Sequence, residues 1–158
     1  MEINNTLFIY LEFGAILVDI QRKAILNSEY HEYVCPIRGL SSQGRRFLGI
    51  SDQKVRNGSN ASICLQKFAS WLKSLNIIIG ENTVFGSWSS ADQRILRLEI
   101  EDKCLPVPTW YKEYYFVDIQ AIYSKVRIKR CLYIFELLVN SVICVFLSEI
   151  SLQPKKSS

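Results

Sequence analysis

Apolar residues run almost without a break from Leu7 to Val18, with Glu12 as the one acid inside the run and Asp19 at its end. A run of this kind predicts a buried strand. The polar pair Arg22-Lys23 marks a turn, and Ala24 to Val34 returns as a second strand. Pro36 cannot donate to a ladder and closes it. The two segments predict a β-hairpin.

Residues 37–59 are irregular, rich in serine and arginine, with Gly39, Gly44, Gly49 and Gly58. Ser51 can cap a short helix that takes in Lys54 and Val55. Asn60 to Leu75 is the clearest helix, with Asn60 as its cap. Cys64, Phe68, Trp71, Leu72 and Leu75 fall on one face at three- and four-residue spacing. Thr83 to Trp88 reads as the next strand. Ser89 or Ser90 then caps a helix to about Lys103, with Ile95, Leu98 and Leu105 toward the core and Arg94, Arg97 and Glu101 toward solvent. Pro106 and Pro108 prevent its continuation. Tyr114 to Val117 suits a short strand, and Asp118 to Lys125 a helix. The order β-β-α-β-α-β-α predicts an α/β fold with a mixed sheet flanked by helices and an antiparallel hairpin at its start.

Beyond residue 125 the pattern changes. Cys131 to Leu147 is apolar apart from a few residues such as Glu136 and Asn140. Lys125, Arg127, Lys129 and Arg130 precede it, and Lys155 and Lys156 follow. The stretch reads as a buried or docked helix, with a tail anchor in a membrane of about the minimum spanning length as the alternative. The chain thus divides into a domain over residues 1–125 and a tail over residues 126–158, made of a basic segment and an apolar stretch.

A chain of 158 residues with 49% hydrophobic and 22% charged residues can bury one core. Its net charge of +4 permits an anionic partner without demanding one. Cys35, Cys64, Cys104, Cys131 and Cys144 are scattered and form no C-x-x-C pair, which argues against a zinc site or disulfide framework. A reducing compartment, cytoplasm or nucleus, is expected. With no leader visible, the sequons at Asn4, Asn57 and Asn60 are read as chance.

Several segments carry a family resemblance. Glu12-Phe13-Gly14-Ala15-Ile16-Leu17-Val18-Asp19 is similar to I-E-x-G-A-x-x-V-D, and Tyr33-Val34-Cys35-Pro36 to y-V-x-P. Phe47 to Val55 resembles L-T-G-I-t-x-x-x-V, with Leu48 in place of threonine. Phe68-Ala69-Ser70-Trp71-Leu72 matches F-x-x-W-L. Val84-Phe85-Gly86-Ser87-Trp88 leads into a helix that opens with Asp92 in its first turn, and Asp118-Ile119 matches D-L. In this order and spacing they resemble the DEDDh 3′→5′ exoribonucleases, in the branch that trims histone mRNA and small-RNA ends. The resemblance covers roughly residues 10–125.

It implies an RNase-H-like exonuclease fold, Mg²⁺ or Mn²⁺ as cofactor, and single-stranded RNA 3′ ends as substrate. Asp92 stands where relatives hold a metal. Relatives also carry Asp-x-Glu on a central first strand and a final aspartate five residues after a general-base histidine, and this chain shows neither. Tyr10-Leu11-Glu12 puts tyrosine at the aspartate position, which leaves Glu12 as a candidate metal ligand. Its register instead matches Glu12 to the glutamate of the second strand. On that register the central strand is missing, its neighbours would expose unpaired edges, and the chain is an incomplete relative, weakly active or inactive. His31, the only histidine, reads as an ordinary strand residue. For nucleic acid the resemblance and the charge pattern nominate Ile50, Trp88, Arg45 and Arg46. Trp88 and Trp110 could stack a base, although core packing is the expectation for both. A non-catalytic RNA-binding or interaction module is the competing reading.

Overall fold

The computed structural model describes residues 7–36, 51–81, 83–88, 90–112, 115–125 and 141–152, together with Ser42, Arg46 and Gly49. The elements are strand β1 (Leu7–Asp19), strand β2 (Ala24–Tyr33), helix α1 (Asp52–Arg56), helix α2 (Ala61–Ser74), strand β3 (Thr83–Ser87), helix α3 (Ser90–Asp102), strand β4 (Phe116–Asp118), helix α4 (Ile119–Lys125) and strand β5 (Ser141–Leu152). The hairpin, the helices and the α/β order agree with the sequence pattern. Boundaries shift by a residue or two.

Local chemistry sets the helix limits. Ser51 Oγ accepts from Lys54 N at 3.3 Å to start α1, and Asn60 Oδ1 accepts from Ile63 N at 2.9 Å to start α2. Each satisfies an orphan amide of a first turn. Both long helices stop on a left-handed residue. Asn76 has φ 53° and Cys104 φ 49°. In each case the next amide reaches back over the turn, Ile77 N to Leu72 O at 3.1 Å and Leu105 N to Ile100 O at 2.9 Å. Before α2, the turn at Gly58 presses on the end of β2. A Cβ on Gly58 would lie 2.5 Å from the Tyr33 carbonyl oxygen, so only glycine permits this approach. The contact lets Ser59 N donate to Tyr33 O at 3.0 Å and Cys35 N to Ser59 O at 2.9 Å.

The core lies between α2 and one face of the sheet. Phe68 is fully buried, its ring centre 4.6 Å from that of Phe13 in a tilted pair and 4.9 Å from that of Trp110 edge-on. Phe85 continues the cluster to Trp110 at 5.5 Å and Phe116 at 4.9 Å. Tyr30 packs edge-on against Phe13 and Phe68, and its hydroxyl donates to Cys64 O at 2.8 Å. Burial, reinforced by Cys64, pushes the Tyr30 phenol far above its ordinary pKa. Each large apolar side chain buried this way contributes about 1.5–3 kcal/mol. Trp110 packs in the core, as its sequence context suggests.

The sheet order is β2-β1-β5-β3-β4. β1 and β2 are antiparallel, with Glu12 opposite Tyr33 and Gly14 opposite His31. β3 and β4 are parallel, with Ser87 beside Asp118. β5 lies between the two pairs, antiparallel to β1 from Leu7↔Leu152 to Asp19↔Ser141 and parallel to β3 from Thr83↔Ser141 to Gly86↔Cys144. Two expectations are corrected here. Residues 141–147, read as part of a helix, are strand. The central position, read as empty, is filled, so β1 and β3 each have a partner on their inner edge. The physical reason is that a short continuous apolar run looks alike whether it is a buried helix or a strand covered on both faces. Among the described residues no helix is long and apolar enough to cross a membrane; residues 131–140 of the tail lie outside them.

Candidate functional site

In a parallel arrangement the loops leaving the strands' C-terminal ends gather on one edge of the sheet, where α/β folds place their ligands. Here that edge carries the end of β3, the start of α3 and the start of α4. Ser87 is buried at the last position of β3. Trp88 follows it at 57% exposure, and its carbonyl accepts from Gln120 N at 3.0 Å. The expectation that Trp88 packs in the core is therefore corrected. The strand ends one residue earlier, and Trp88 sits in the bend before α3, outside the alternation that would bury it.

Asp118 closes β4 and caps α4, its Oδ1 accepting from Ala121 N at 2.8 Å. Asp92 is half-buried in the first turn of α3, where a negative charge complements the helix dipole. The same end of α3 borders a cavity of about 310 Å³ lined by Ser90, Ala91, Gln93, Arg94 and Arg97. Arg97 lies 4.0 Å from Glu101 one turn on, while Arg94 is exposed. Further along α3 the buried Glu99 pairs with Lys103, and desolvation lowers the Lys103 pKa.

Glu12 belongs to a different neighbourhood. Phe13 faces the α2 core, so alternation along β1 puts Glu12 on the opposite face. There His31 Nε2 donates to Glu12 Oε1 at 2.5 Å. The His31 ring stands edge-on to Tyr33 at 4.8 Å, and Lys54 Nζ lies 5.6 Å from the Tyr33 ring centre. His31 is thus a strand residue with a carboxylate partner. Arg46 is exposed, and Arg45 and Ile50 lie outside the described residues. Arg56 pairs with Asp52 at 2.7 Å.

The described residues do not gather the donors that two divalent ions need. Among the described residues, no group of three or more His, Cys, Asp and Glu side chains could hold a metal. The resemblance implies a pair of divalent metal ions, and a pair of dications requires several carboxylates to supply charge and coordination. The described residues do not fit that requirement.

The feature that sequence reasoning missed is β5. At its centre Cys144 is level with Ile16 on one side and Gly86 on the other. Continuing that register sets Val145 beside Ser87, level with the end of β3. The β-branched Val142, Ile143 and Val145 were the available signal for a strand.

Comparison with known proteins agrees with this architecture. Residues 8–130 match the family model for exonucleases of the RNase T type. Over 67 residues the chain is 37% identical to ERI1 exoribonuclease 2 of Xenopus laevis, covering 41% of this chain and 10% of that protein. Among solved structures, cell-death related nuclease 4 (CRN-4) superposes with a TM-score of 0.66 at 18% identity, covering 77% of this chain and 41% of that one. A full-length 3′-exonuclease superposes with a TM-score of 0.65 at 19% identity, covering 74% and 38%. The chain spans less than half the length of each of these proteins. With its RNase-H-like mixed sheet and a family match over most of its length, the chain belongs to the exonuclease family, as a relative of the DEDDh 3′→5′ exoribonucleases.

Proposed function

We propose that this chain is a single-stranded RNA-binding relative of the 3′→5′ exoribonucleases that trims RNA weakly or not at all. One observation carries the reading. The central position of the sheet, where the resemblance assigns the Asp-x-Glu pair, is filled by β5, whose residues beside β3 are Ser141, Val142, Ile143 and Cys144, with Val145 next in register. None of these is a carboxylate. Among the described residues, no group of three or more His, Cys, Asp and Glu side chains could hold the two Mg²⁺ or Mn²⁺ ions of such a mechanism.

RNA contact is supported by other features of the same edge. Trp88 offers an exposed ring for stacking, and Arg94 and Arg97 border the adjoining cavity. Phosphate contacts of this kind are sequence-tolerant and weaken steeply with salt. From the sequence alone, Arg45, Arg46 and Ile50 are further candidates for RNA contact. Purified protein given a 3′-labelled RNA with Mg²⁺ or Mn²⁺ is expected to show negligible trimming, while fluorescence anisotropy at low salt shows saturable binding. Robust trimming abolished by Asp92→Ala would replace this reading with an active nuclease. Absence of binding at low salt would remove the RNA-module reading.

A further inference from the structure

The β1/β2 hairpin and the β3/β4 pair are separate two-stranded units. Among the described strands β5 is the one hydrogen-bonded to both β1 and β3, while the buried side chains of α2 and α3 pack across the two pairs. Two strand spacings of about 4.8 Å separate β1 from β3, which is room for one strand and no more. An empty slot would leave both inner edges with unpaired N–H and C=O groups. The segment that fills it, Ser141–Leu152, lies outside the stretch matched to the exonuclease family, which ends at residue 130. Its sequence suits a strand covered on both faces, since Val142 to Leu147 is uninterrupted apolar residues.

We propose that the slot between β1 and β3 is a strand-acceptor site, with residues 141–152 as its built-in ligand. The ligand class is an extended apolar peptide of about ten residues that runs antiparallel to β1 and parallel to β3. Recognition is by main-chain hydrogen bonds on both edges, the mode by which a peptide adds to a sheet, with specificity from side chains on alternating faces. The slot is a property of the family-matched body, and the strand is a separable part. Occupancy therefore controls whether the two half-sheets form one hydrogen-bonded sheet beneath the shared core.

The test uses the full chain bearing Cys144→Pro. Residue 144 pairs with both neighbours, opposite Ile16 and beside Gly86, so proline there removes a ladder donor and clashes at the centre of the sheet. The variant is expected to lose its cooperative thermal transition in near-UV circular dichroism. A synthetic peptide of residues 140–158, kept soluble by Lys155 and Lys156, should then restore the transition. The same peptide, fluorescently labelled, should bind the variant saturably and one-to-one by anisotropy. It should not bind the wild-type chain, whose slot is filled, and a scrambled peptide should do neither. Retention of the wild-type transition by Cys144→Pro would overturn the placement of the strand. Loss of the transition without rescue, or equal peptide binding to wild type and variant, would overturn the acceptor site.

Discussion

The face of the sheet under α2 and the edge at the C-terminal end of β3 obey different rules. Under α2, Phe13, Tyr30, Phe68, Phe85 and Trp110 form one interlocked aromatic cluster in which each ring touches at least one other. At the edge, a tryptophan is more than half exposed, two arginines border a cavity, and no described cluster of acids could hold a metal. The first region keeps what a fold needs, and the described residues of the second do not gather the carboxylates that the family's chemistry uses. Packing is enforced by many mutually dependent contacts, and losing any one of them is costly. A metal site depends on a handful of carboxylates, and their loss leaves the packing untouched. The architecture of an enzyme family and its catalytic edge are therefore under separate physical constraints.

This contrast can be broken at either end. Phe68→Ala, at the centre of the cluster, should destabilise the protein by about 3–5 kcal/mol, read as a large fall in the midpoint of urea unfolding. A smaller effect would mean that the aromatic packing is looser than described. Alkaline titration probes the same region through Tyr30. Its phenol is held above the ordinary pKa in the folded chain by burial first and by Cys64 second. The unfolded chain ionises from about pH 10 upward and the folded chain does not. Stability from this group is thus fully present below that pH and is lost as pH rises above it. Tyr30→Phe should flatten the decline, which equilibrium unfolding at pH 9 and pH 11 would reveal.

The turn that braces β2 gives an intermediate effect. Gly58→Ala forces a Cβ against the Tyr33 carbonyl and should cost about 1–3 kcal/mol, seen as a lowered Tm. Removing the cap of α2 with Asn60→Ala should cost about 1 kcal/mol by the same measurement. The smallest stability effect belongs to the edge. Trp88→Ala should change stability by no more than about 0.5 kcal/mol, because the residue is more than half exposed. The same substitution should still weaken single-stranded RNA binding in an anisotropy titration. A marked loss of stability without a change in binding would make Trp88 a packing residue and erase the distinction between the two regions.

Much of the architecture was legible in the amino-acid order. The hairpin over residues 7–34, the Asn60-capped helix, and the strand-to-helix passage through Gly86, Ser87 and Trp88 follow from local periodicity, caps and prolines, which act over a few residues and leave their mark in sequence. Asp92 could be placed in a helical first turn for the same reason. The partner of Glu12 could not be read that way. Glu12 and His31 meet because β1 and β2 pair in one register, and register is fixed by the whole hairpin. The exposure of Trp88 depends on β3 ending one residue sooner than its pattern suggests.

The fate of residues 141–152 is the clearest division between the two levels. Their sequence determined that the stretch Val142 to Leu147 is apolar and must be covered, and the apolar run alone was read as a helix. Only the tertiary structure decided between helix and strand, because the choice rests on two long-range edges, β1 and β3, that lie more than fifty residues away along the chain. A slot one strand wide, flanked by unpaired backbone donors and acceptors, stabilises an extended segment that satisfies both edges.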